Sequence, residues 1–278
     1  MNENDIYQID EDDENVRNDD VALVPGLNAD SSDEIKHFIN KDIIDSYDVY
    51  SYRNAASILK NSFPLELSEI EDALRKFTLT TTDIGMPGGN ESIIPKKLSA
   101  ILRPLDWYET RIQGDLVIRV HEHSEEILSN GKAKKHTLPV KEPIKLENYI
   151  DGHKIDYVKG RVALDLEWNS KDQTFDRDLY AFRMFHECSI INVAVIITRS
   201  EKLNDLLNVI PKRLKNGDYE LDKNGNQVPC IRKMGASTTW MGKLLYRLNA
   251  GRHGGCPVLV FGIRPDVITD WPLLEQGK

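Results

Sequence analysis

Alternation of apolar and polar residues is clearest between residues 161 and 168. Because successive side chains of a strand point to opposite faces, this segment divides into two sets. The sets are Val162, Leu164 and Leu166 on one face, and Ala163, Asp165 and Glu167 on the other. The pattern therefore predicts a strand that carries two carboxylates on its second face.

A second strand with the same two-residue period precedes this one and contains Asp156. Lys159-Gly160 supplies a turn between them, since glycine tolerates the positive φ of tight hairpins. With these two residues as the loop, Asp156 pairs with Ala163 and lies diagonal to Asp165. We therefore expect a β-hairpin with acidic residues on one face.

The acidic face suits a hard divalent cation. Diagonal cross-strand neighbours lie about 7–8 Å apart at their Cα atoms, so Asp156 and Asp165 can bind one ion through oxygen. Such an ion binds a phosphate oxygen, lowers the pKa of a bound water and stabilises the transition state of hydrolysis. Glu167 either accepts the proton of that water or holds a second metal position. The alternative is a solvated strand face with ordinary surface acids.

Hydrophobic periodicity predicts further helices and strands around the hairpin, and their order indicates an α/β protein. A polar stretch at residues 125–146 is interpreted as a loop or insertion. The predicted helices cover 32–61, 65–77, a segment ending near 102, 175–188, 201–213 and 237–248, the last one beginning with Ser/Thr caps. The predicted strands outside the hairpin cover 111–121, 190–198 and 256–263.

Negative charge is concentrated near the N-terminus. The net charge is −9, and residues 1–35 hold twelve acidic residues and one basic residue, a charge of −11, so the remainder carries +2. The first stretch of about 20 residues has few apolar residues and is expected to be disordered. It is either a solubilising leader or an acidic tail that competes with phosphate for a basic cleft. A near-neutral body is compatible with phosphate binding, which depends on the local field.

Composition limits the class of protein further. A chain of 278 residues with 40% hydrophobic content buries one substantial core. No run approaches the length of a membrane span and no secretory signal is visible, so we expect a cytoplasmic protein. Cys188, Cys230 and Cys256 are widely spaced, and we expect reduced thiols, with Cys188 and Cys256 as buried small hydrophobes.

A glycine-containing turn at residues 86–92 opens the helix that ends near 102. Backbone amides at such a helix start suit phosphate oxygens, and Lys96 and Lys97 add positive charge. The turn therefore predicts a phosphate contact, although the glycine pair alone is also typical of an ordinary turn.

Asp156, followed nine residues later by Asp165-Leu166-Glu167, resembles the PD-(D/E)xK nuclease signature, with Glu in place of the usual Lys as in the BamHI-type branch. Over about residues 85–265 the chain resembles type II restriction endonucleases of the BglII/BstYI type. The residues that carry this resemblance are Glu167-Trp168-Asn169-Ser170-Lys171-Asp172, Phe175-Asp176-Arg177-Asp178-Leu179, Phe182-Arg183, Ile196-Ile197-Thr198-Arg199, Ser237-Thr238-Thr239-Trp240-Met241-Gly242-Lys243-Leu244 and Gly251-Arg252-His253-Gly254-Gly255-Cys256-Pro257-Val258-Leu259.

The resemblance implies a restriction-endonuclease-like core, with a mixed central sheet flanked by helices. It implies that Asp156 and Asp165 bind Mg²⁺ and that Glu167 positions or deprotonates the attacking water. Glu91 resembles an acidic residue that some family members add to the metal site. Lys171 is a second candidate for the role of the missing lysine, after Glu167.

The resemblance also implies a homodimer that cleaves double-stranded DNA at a short palindromic site with a GATC core, protected by a cognate methyltransferase. The polar stretch 125–146 is then either a solvated loop or an arm on the DNA backbone. We expect an acidic tail at 1–31 and one nuclease domain at 32–278, divided into an N-terminal helical part (32–84) and a catalytic core (85–265). Candidate DNA contacts are Lys96, Lys97, Asn169, Lys171, Ser237, Thr238 and Thr239.

Other functions remain compatible with the sequence. A structure-specific or repair nuclease would use the same metal site without a fixed target. A catalytically silent DNA-binding module would keep the scaffold alone. An α/β domain unrelated to nucleic acid would show no DNA affinity that falls with salt.

Overall fold

A mixed β-sheet forms the centre of the fold. The structure is a computed structural model, and it describes residues 20–88, 92–151, 154–235 and 237–271. The strands in chain order are β1 (Tyr47–Tyr52), β2 (Tyr108–Arg111), β3 (Gly114–Ile118), β4 (His123–Ile127), β5 (Ala133–Thr137), β6 (Ile144–Ile150), β7 (Lys154–Lys159), β8 (Val162–Glu167), β9 (Val193–Arg199) and β10 (Val258–Ile263).

Six of these strands form the central sheet in the order β1-β10-β9-β8-β7-β2. The middle strands β8, β9 and β10 are parallel, whereas β1 at one edge and β7 and β2 at the other are antiparallel to their neighbours. Every residue of the three parallel strands is buried, as expected where helices cover both faces of a sheet. The predicted mixed central sheet is therefore confirmed.

Helices cover both faces of this sheet. No helix in the described part of the chain has both the length and the apolar character that crossing a bilayer requires. The helices are α1 (Ser32–Phe38), α2 (Lys41–Ser46), α3 (Ala55–Ser62), α4 (Pro64–Lys76), α5 (Thr81–Gly85), α6 (Ile93–Leu102), α7 (Thr174–Glu187), α8 (Leu203–Leu207) and α9 (Met241–Asn249), with short 3-10 helices at Arg103–Leu105, Cys230–Lys233 and Pro265–Val267.

The two faces of β8 belong to two separate hydrophobic clusters. Val162, Leu164 and Leu166 pack with the buried residues of α3, α4 and α6. Ala163 packs on the other face with the buried residues of α7 and α9. The alternation in the sequence thus predicted correctly which residues share a face, and the acidic positions of β8 lie on the side of α7.

The predicted helix over residues 32–61 is wrong as a single element. The chain forms α1 and α2, then strand β1, then α3. Residues 47–52 read Tyr-Asp-Val-Tyr-Ser-Tyr, and aromatic and β-branched residues favour strands. Pairing with β10 along the whole of β1 decides the conformation, so the N-terminal part supplies an edge strand of the central sheet.

The polar stretch predicted as a loop at 125–146 instead contains strands. β4 pairs with β5, and β3 pairs with β6, as two separate two-stranded sheets. Polar partners face each other across the pair β4–β5, with Lys135 Nζ 3.6 Å from Glu125 Oε1 in an ion pair and His136 Nε2 within hydrogen-bond distance of Glu126 Oε2 at 3.0 Å. Cross-strand polar pairs of this kind stabilise a two-stranded sheet that apolar alternation does not reveal.

Two further details differ from the prediction. The helix expected over 201–213 is confined to α8, although its apolar residues are buried as expected. Cys188 is exposed rather than buried, because it lies just after the end of α7, whereas Cys230 and Cys256 are buried.

Part of the predicted acidic tail contacts the body of the protein. Residues 1–19 lie outside the described residues. Beyond them, the backbone N–H of Ala22 donates to the carbonyl of Gly242 at 3.0 Å, and Ala29 forms a bridge with Tyr52 of β1. The domain boundary near residue 31 stays a prediction.

Candidate active site

The hairpin β7–β8 brings two acidic residues together. Val158 lies opposite Ala163 and Tyr157 opposite Leu164, so the predicted pairing of Asp156 with Ala163 is wrong by two residues. The tight turn lies at Gly160, which has φ +54°. Because side chains alternate with a period of two, a two-residue shift keeps Asp156 on the predicted face.

Asp156 and Asp165 are joined by a direct hydrogen bond. The backbone N–H of Asp156 donates to Oδ1 of Asp165 at 2.7 Å. The side chain of Asp156 is exposed, whereas Asp165 is only 4% exposed. The hairpin therefore places one carboxylate at the surface and fixes the other immediately behind it.

Glu167 and Asp178 complete a group of buried carboxylates. Glu167 lies two residues after Asp165 on the same face of β8 and is 7% exposed. Asp178 is 2% exposed and lies on the buried side of α7, with Phe175 and Phe182 one turn away in each direction. Sequence analysis did not identify Asp178, although its position on the apolar face of an amphipathic helix is a visible signal.

Burial raises the pKa of all three buried carboxyl groups. For Asp165, desolvation and then the negative charge of Asp178 raise the pKa well above its ordinary value. For Asp178, desolvation and then Glu167 act in the same direction. Desolvation also raises the pKa of Glu167, although a hydrogen bond with Ser170 opposes it. Each group therefore has a strong tendency to bind a proton or a cation.

The donor atoms of this group fit a hard divalent cation. Asp165 Oδ2, Glu167 Oε2 and Asp178 Oδ2 are buried carboxylate oxygens without a hydrogen-bond partner. Within the described residues, no three His, Cys, Asp or Glu side chains already surround a single ion position. Carboxylate oxygens are ligands for Mg²⁺, Mn²⁺ and Ca²⁺. The residues thus suit such an ion in their chemistry and their burial.

A cleft of about 460 Å³ opens beside these acids. Asp156 and Glu167 line one side of it, and Met86, Gly88 and Ser92 are among the residues that line the other. Lys233 also lines the cleft, and its Nζ donates to the carbonyl of Met86 at 2.8 Å. This lysine, which sequence analysis missed, anchors Met86 at the cleft.

Met86, Gly88 and Ser92 of the predicted phosphate turn line the cleft, and the two lysines that follow on α6 differ in exposure. Lys97 pairs with Asp83 and donates to the carbonyl of Thr78 at 3.1 Å. Lys96 is exposed on α6. Glu91, the predicted additional metal ligand, lies outside the described residues.

The segment after β8 pairs with residues 237–239. The backbone N–H of Asp172 donates to the carbonyl of Ser237 at 2.7 Å, and Lys171 forms a bridge with Thr238. Thr239 is buried, and its Oγ1 accepts from the backbone N–H of Ser170 at 3.2 Å. Residues 237–239 are therefore not helix caps, because α9 begins only at Met241.

Lys171 and Asn169 lie on the outer side of this pair. Both residues are exposed. Lys171 Nζ donates to Ser237 Oγ at 3.4 Å, and Asn169 Nδ2 donates to the carbonyl of Lys233 at 3.5 Å. Lys171 is thus directed to Ser237, and the structure does not bring it together with the carboxylates.

Arg199 connects the segment that follows β8 with residues 238–239. It is 2% exposed, and its guanidinium donates to the carbonyl of Trp168 at 2.8 Å, to Thr238 Oγ1 at 3.0 Å and to the carbonyl of Thr239 at 2.8 Å. Burial lowers the pKa of Arg199 to about 10. An arginine that ends a buried strand is the sequence signal for such a role.

A mixed sheet with acidic side chains near the end of a central strand, open to a cleft, is typical of metal-dependent nucleases. The family model of the restriction endonucleases BglII/BglIII matches residues 47–263, and the chain belongs to this family. The match runs from the first residue of β1 to the last residue of β10. No curated protein matches the chain significantly.

The chain is therefore a type II site-specific deoxyribonuclease that binds and cleaves double-stranded DNA. The predicted resemblance and the predicted enzyme class are confirmed. The family assignment favours site-specific cleavage over the alternatives of a repair nuclease and a silent DNA-binding module.

Proposed function

We propose that the protein hydrolyses one phosphodiester bond in each DNA strand at a short palindromic site, with Mg²⁺ as its cofactor. The observation that carries the proposal is the contact between Asp156 and Asp165. The backbone amide of Asp156 holds one oxygen of Asp165 at 2.7 Å, and the other oxygen is buried without a partner. A buried anionic oxygen of this kind is stabilised by a cation.

Asp156 and Asp165 are the proposed ligands of the divalent ion. When bound, the ion supplies Lewis-acid chemistry, since it polarises a phosphate oxygen and lowers the pKa of water. Glu167 lines the cleft on the same face and orients or deprotonates the attacking water. Desolvation raises the pKa of Glu167, which makes its carboxylate a stronger base.

DNA contacts are proposed on both sides of the cleft. Asn169, Lys171 and Ser237 are exposed on the segments that follow β8 and precede α9, where they can reach the DNA backbone or base edges. Thr238 and Thr239 support this surface through the hydrogen bonds that tie them to Arg199. Lys96 and Lys97 are the proposed phosphate contacts on α6, Lys97 after exchange of its partner Asp83.

A palindromic target suggests that two copies of the chain bind the DNA with two-fold symmetry, each cutting one strand. We propose a homodimer for this reason. We further propose that the target has a GATC core. A methyltransferase that modifies the same site belongs to the proposal as well, because the enzyme would cut an unmodified host genome.

The test is digestion of unmethylated phage DNA with Mg²⁺ by the wild-type protein, Asp156→Ala and Asp165→Ala. Asp45→Ala, which removes an exposed acid on α2, is the matched control. We expect discrete bands from the wild type and the control, and none from the two site variants. Mapping the fragment ends then gives the target and the cut position.

Two outcomes contradict the proposal. A smear without discrete bands indicates cleavage without a fixed site. Absence of cutting with Mg²⁺ and with Mn²⁺, by folded wild-type protein on unmodified DNA, excludes the metal-dependent mechanism.

A further inference from the structure

Helix α7 contributes a carboxylate to the acidic face of β8. Ala163, two residues before Asp165 on that face, packs with Phe175, Leu179 and other residues of α7. Asp178 lies on this same buried side of the helix and is 2% exposed. An acidic residue is rarely buried on the apolar side of a helix unless it is paired.

The pairing available to Asp178 is incomplete. Arg177 donates to Asp178 Oδ1 through Nη2 at 3.1 Å and through Nε at 3.3 Å, but the side chain of Arg177 is 59% exposed. Asp178 Oδ2 has no partner. One side of this carboxylate therefore has a cationic neighbour, and the other side is buried without one.

Asp178 lies close enough to the other acids to interact with their charges. Among the charges around Asp165, the carboxylate of Asp178 raises its pKa most, and Glu167 is likewise the charge that most raises the pKa of Asp178. Each of the three groups has one buried oxygen without a partner. Buried carboxylates that interact in this way repel one another unless a cation or protons neutralise them.

We infer that Asp178 is a ligand of the divalent cation, a helix-borne fourth carboxylate that acts with Asp165 and Glu167 and extends the site beyond the hairpin. This inference rests on the proposed function, in which Asp165 binds the ion. A cation of the Mg²⁺ type takes about six oxygen ligands, so protein carboxylates from both β8 and α7 can share it with water and a phosphate.

The test measures ion binding directly, without DNA and without turnover. Mn²⁺ and Mg²⁺ are titrated into the wild-type protein, Asp165→Asn and Asp178→Asn by calorimetry, and the thermal midpoint is recorded with EDTA and with each ion. Asp176→Asn is the matched control, because Asp176 lies on the same helix but pairs with Arg247 at 2.9 Å. Asp178→Glu is added as a variant that keeps a carboxylate.

We expect Asp178→Asn to weaken Mn²⁺ binding at least about tenfold, a loss typical of changes around a metal site. Its metal-free midpoint should equal or exceed that of the wild type, because the amide removes a buried negative charge. Asp176→Asn should bind Mn²⁺ normally with a lower midpoint, and Asp178→Glu should retain most of the affinity.

The remaining outcomes separate the two proposals. If Asp165→Asn loses the ion but Asp178→Asn binds it as tightly as the wild type, Asp178 is only a structural partner of Arg177 and the inference is wrong. If the wild type binds neither ion, the proposed metal site fails together with the inference.

Discussion

The backbone N–H of Asp156 donates a hydrogen bond to Oδ1 of Asp165 at 2.7 Å, across the pair of strands β7 and β8. The bond fixes the orientation of a buried carboxylate from a strand whose own acidic side chain is exposed. It leaves Oδ2 of Asp165 without a partner. The fold thus buries an oxygen of Asp165 without a hydrogen-bond partner. This burial destabilises the carboxylate when no cation is present and suits it to bind one.

Asp165→Asn is expected to abolish cleavage and to stabilise the metal-free fold. Loss of this proposed metal ligand is expected to remove several kcal/mol of transition-state stabilisation, which corresponds to about a thousandfold or more in rate. The neutral amide also removes a buried negative charge from beside Asp178 and Glu167. Steady-state cleavage of plasmid DNA and thermal unfolding in EDTA measure the two effects.

Glu71→Gln is the control for this prediction. Glu71 is 3% exposed and accepts from the backbone N–H of Asn40 at 2.9 Å, away from the cleft. We expect lower stability and unchanged cleavage. A fall in cleavage of similar size in both variants would mean that the loss in Asp165→Asn reflects general destabilisation.

Stability of the metal-free protein should decrease as pH rises above the ordinary pKa values of its buried acids. Those values are 3.8 for Asp165 and Asp178 and 4.5 for Glu167, and the folded protein raises all three. Between the unfolded and the folded pKa, the folded state binds more protons than the unfolded state, so the free energy of unfolding falls with rising pH. Thermal midpoints in EDTA from about pH 5 to pH 8 measure this slope.

Two variants and a metal ion serve as controls for the predicted pH dependence of stability. Asp165→Asn and Asp178→Asn should each flatten the slope, because each removes one of the titrating groups. Saturating Mn²⁺ should reverse it, since protons and cations compete for the same oxygens and affinity rises with pH. An identical slope in wild type and variants would assign the pH dependence to other residues.

The acidic face of β8 was predictable because it depends on a local period. Alternation within residues 162–167 assigned each side chain to the correct face, and burial of the opposite face in the first hydrophobic cluster confirms it. The register of the hairpin was not predictable in the same way. It depends on the choice of turn at Gly160, and a turn one residue later shifts every pair by two.

Contacts between distant segments explain what the sequence did not reveal. β1 is a strand because it pairs with β10, about two hundred residues later in the chain. Asp178 was missed because helical periodicity was used to choose apolar core positions only. Arg199 and Lys233 donate hydrogen bonds to backbone carbonyl groups of other segments. Every residue has such a carbonyl, so the sequence does not indicate which of them a side chain contacts.

Arg199→Met should destabilise the protein by about 3 kcal/mol, because it removes three buried donors and leaves the carbonyls of Trp168 and Thr239 unsatisfied. Arg199→Lys should restore only part of this loss, since an ammonium lacks the planar fork that reaches several acceptors. Urea unfolding measures the change in the free energy of unfolding.

Arg213→Met is the control, because Arg213 donates to the carbonyl of Gly217 at 2.9 Å near the surface, and we expect a loss below about 1 kcal/mol. Equal losses in the two methionine variants would contradict the role assigned to Arg199.

Lys171→Ala should weaken DNA binding without abolishing the chemical step. Lys171 Nζ is directed to Ser237 Oγ at 3.4 Å, on an exposed segment and not toward the carboxylates. Removal of a cation that binds phosphate at this position lowers affinity uniformly across sequences and reduces the salt dependence of binding by about one unit. Binding isotherms in Ca²⁺ at several salt concentrations, with single-turnover rates in Mg²⁺, separate affinity from chemistry.

Lys41→Ala is the control for Lys171→Ala, because Lys41 is an exposed residue of α2 that pairs with Asp45. We expect wild-type affinity and salt slope from this variant. A single-turnover rate that falls by orders of magnitude in Lys171→Ala, at saturating enzyme, would instead give Lys171 the role of the missing catalytic lysine. That result would require Lys171 to leave Ser237 when DNA binds, and it would leave Glu167 as a metal ligand rather than the base.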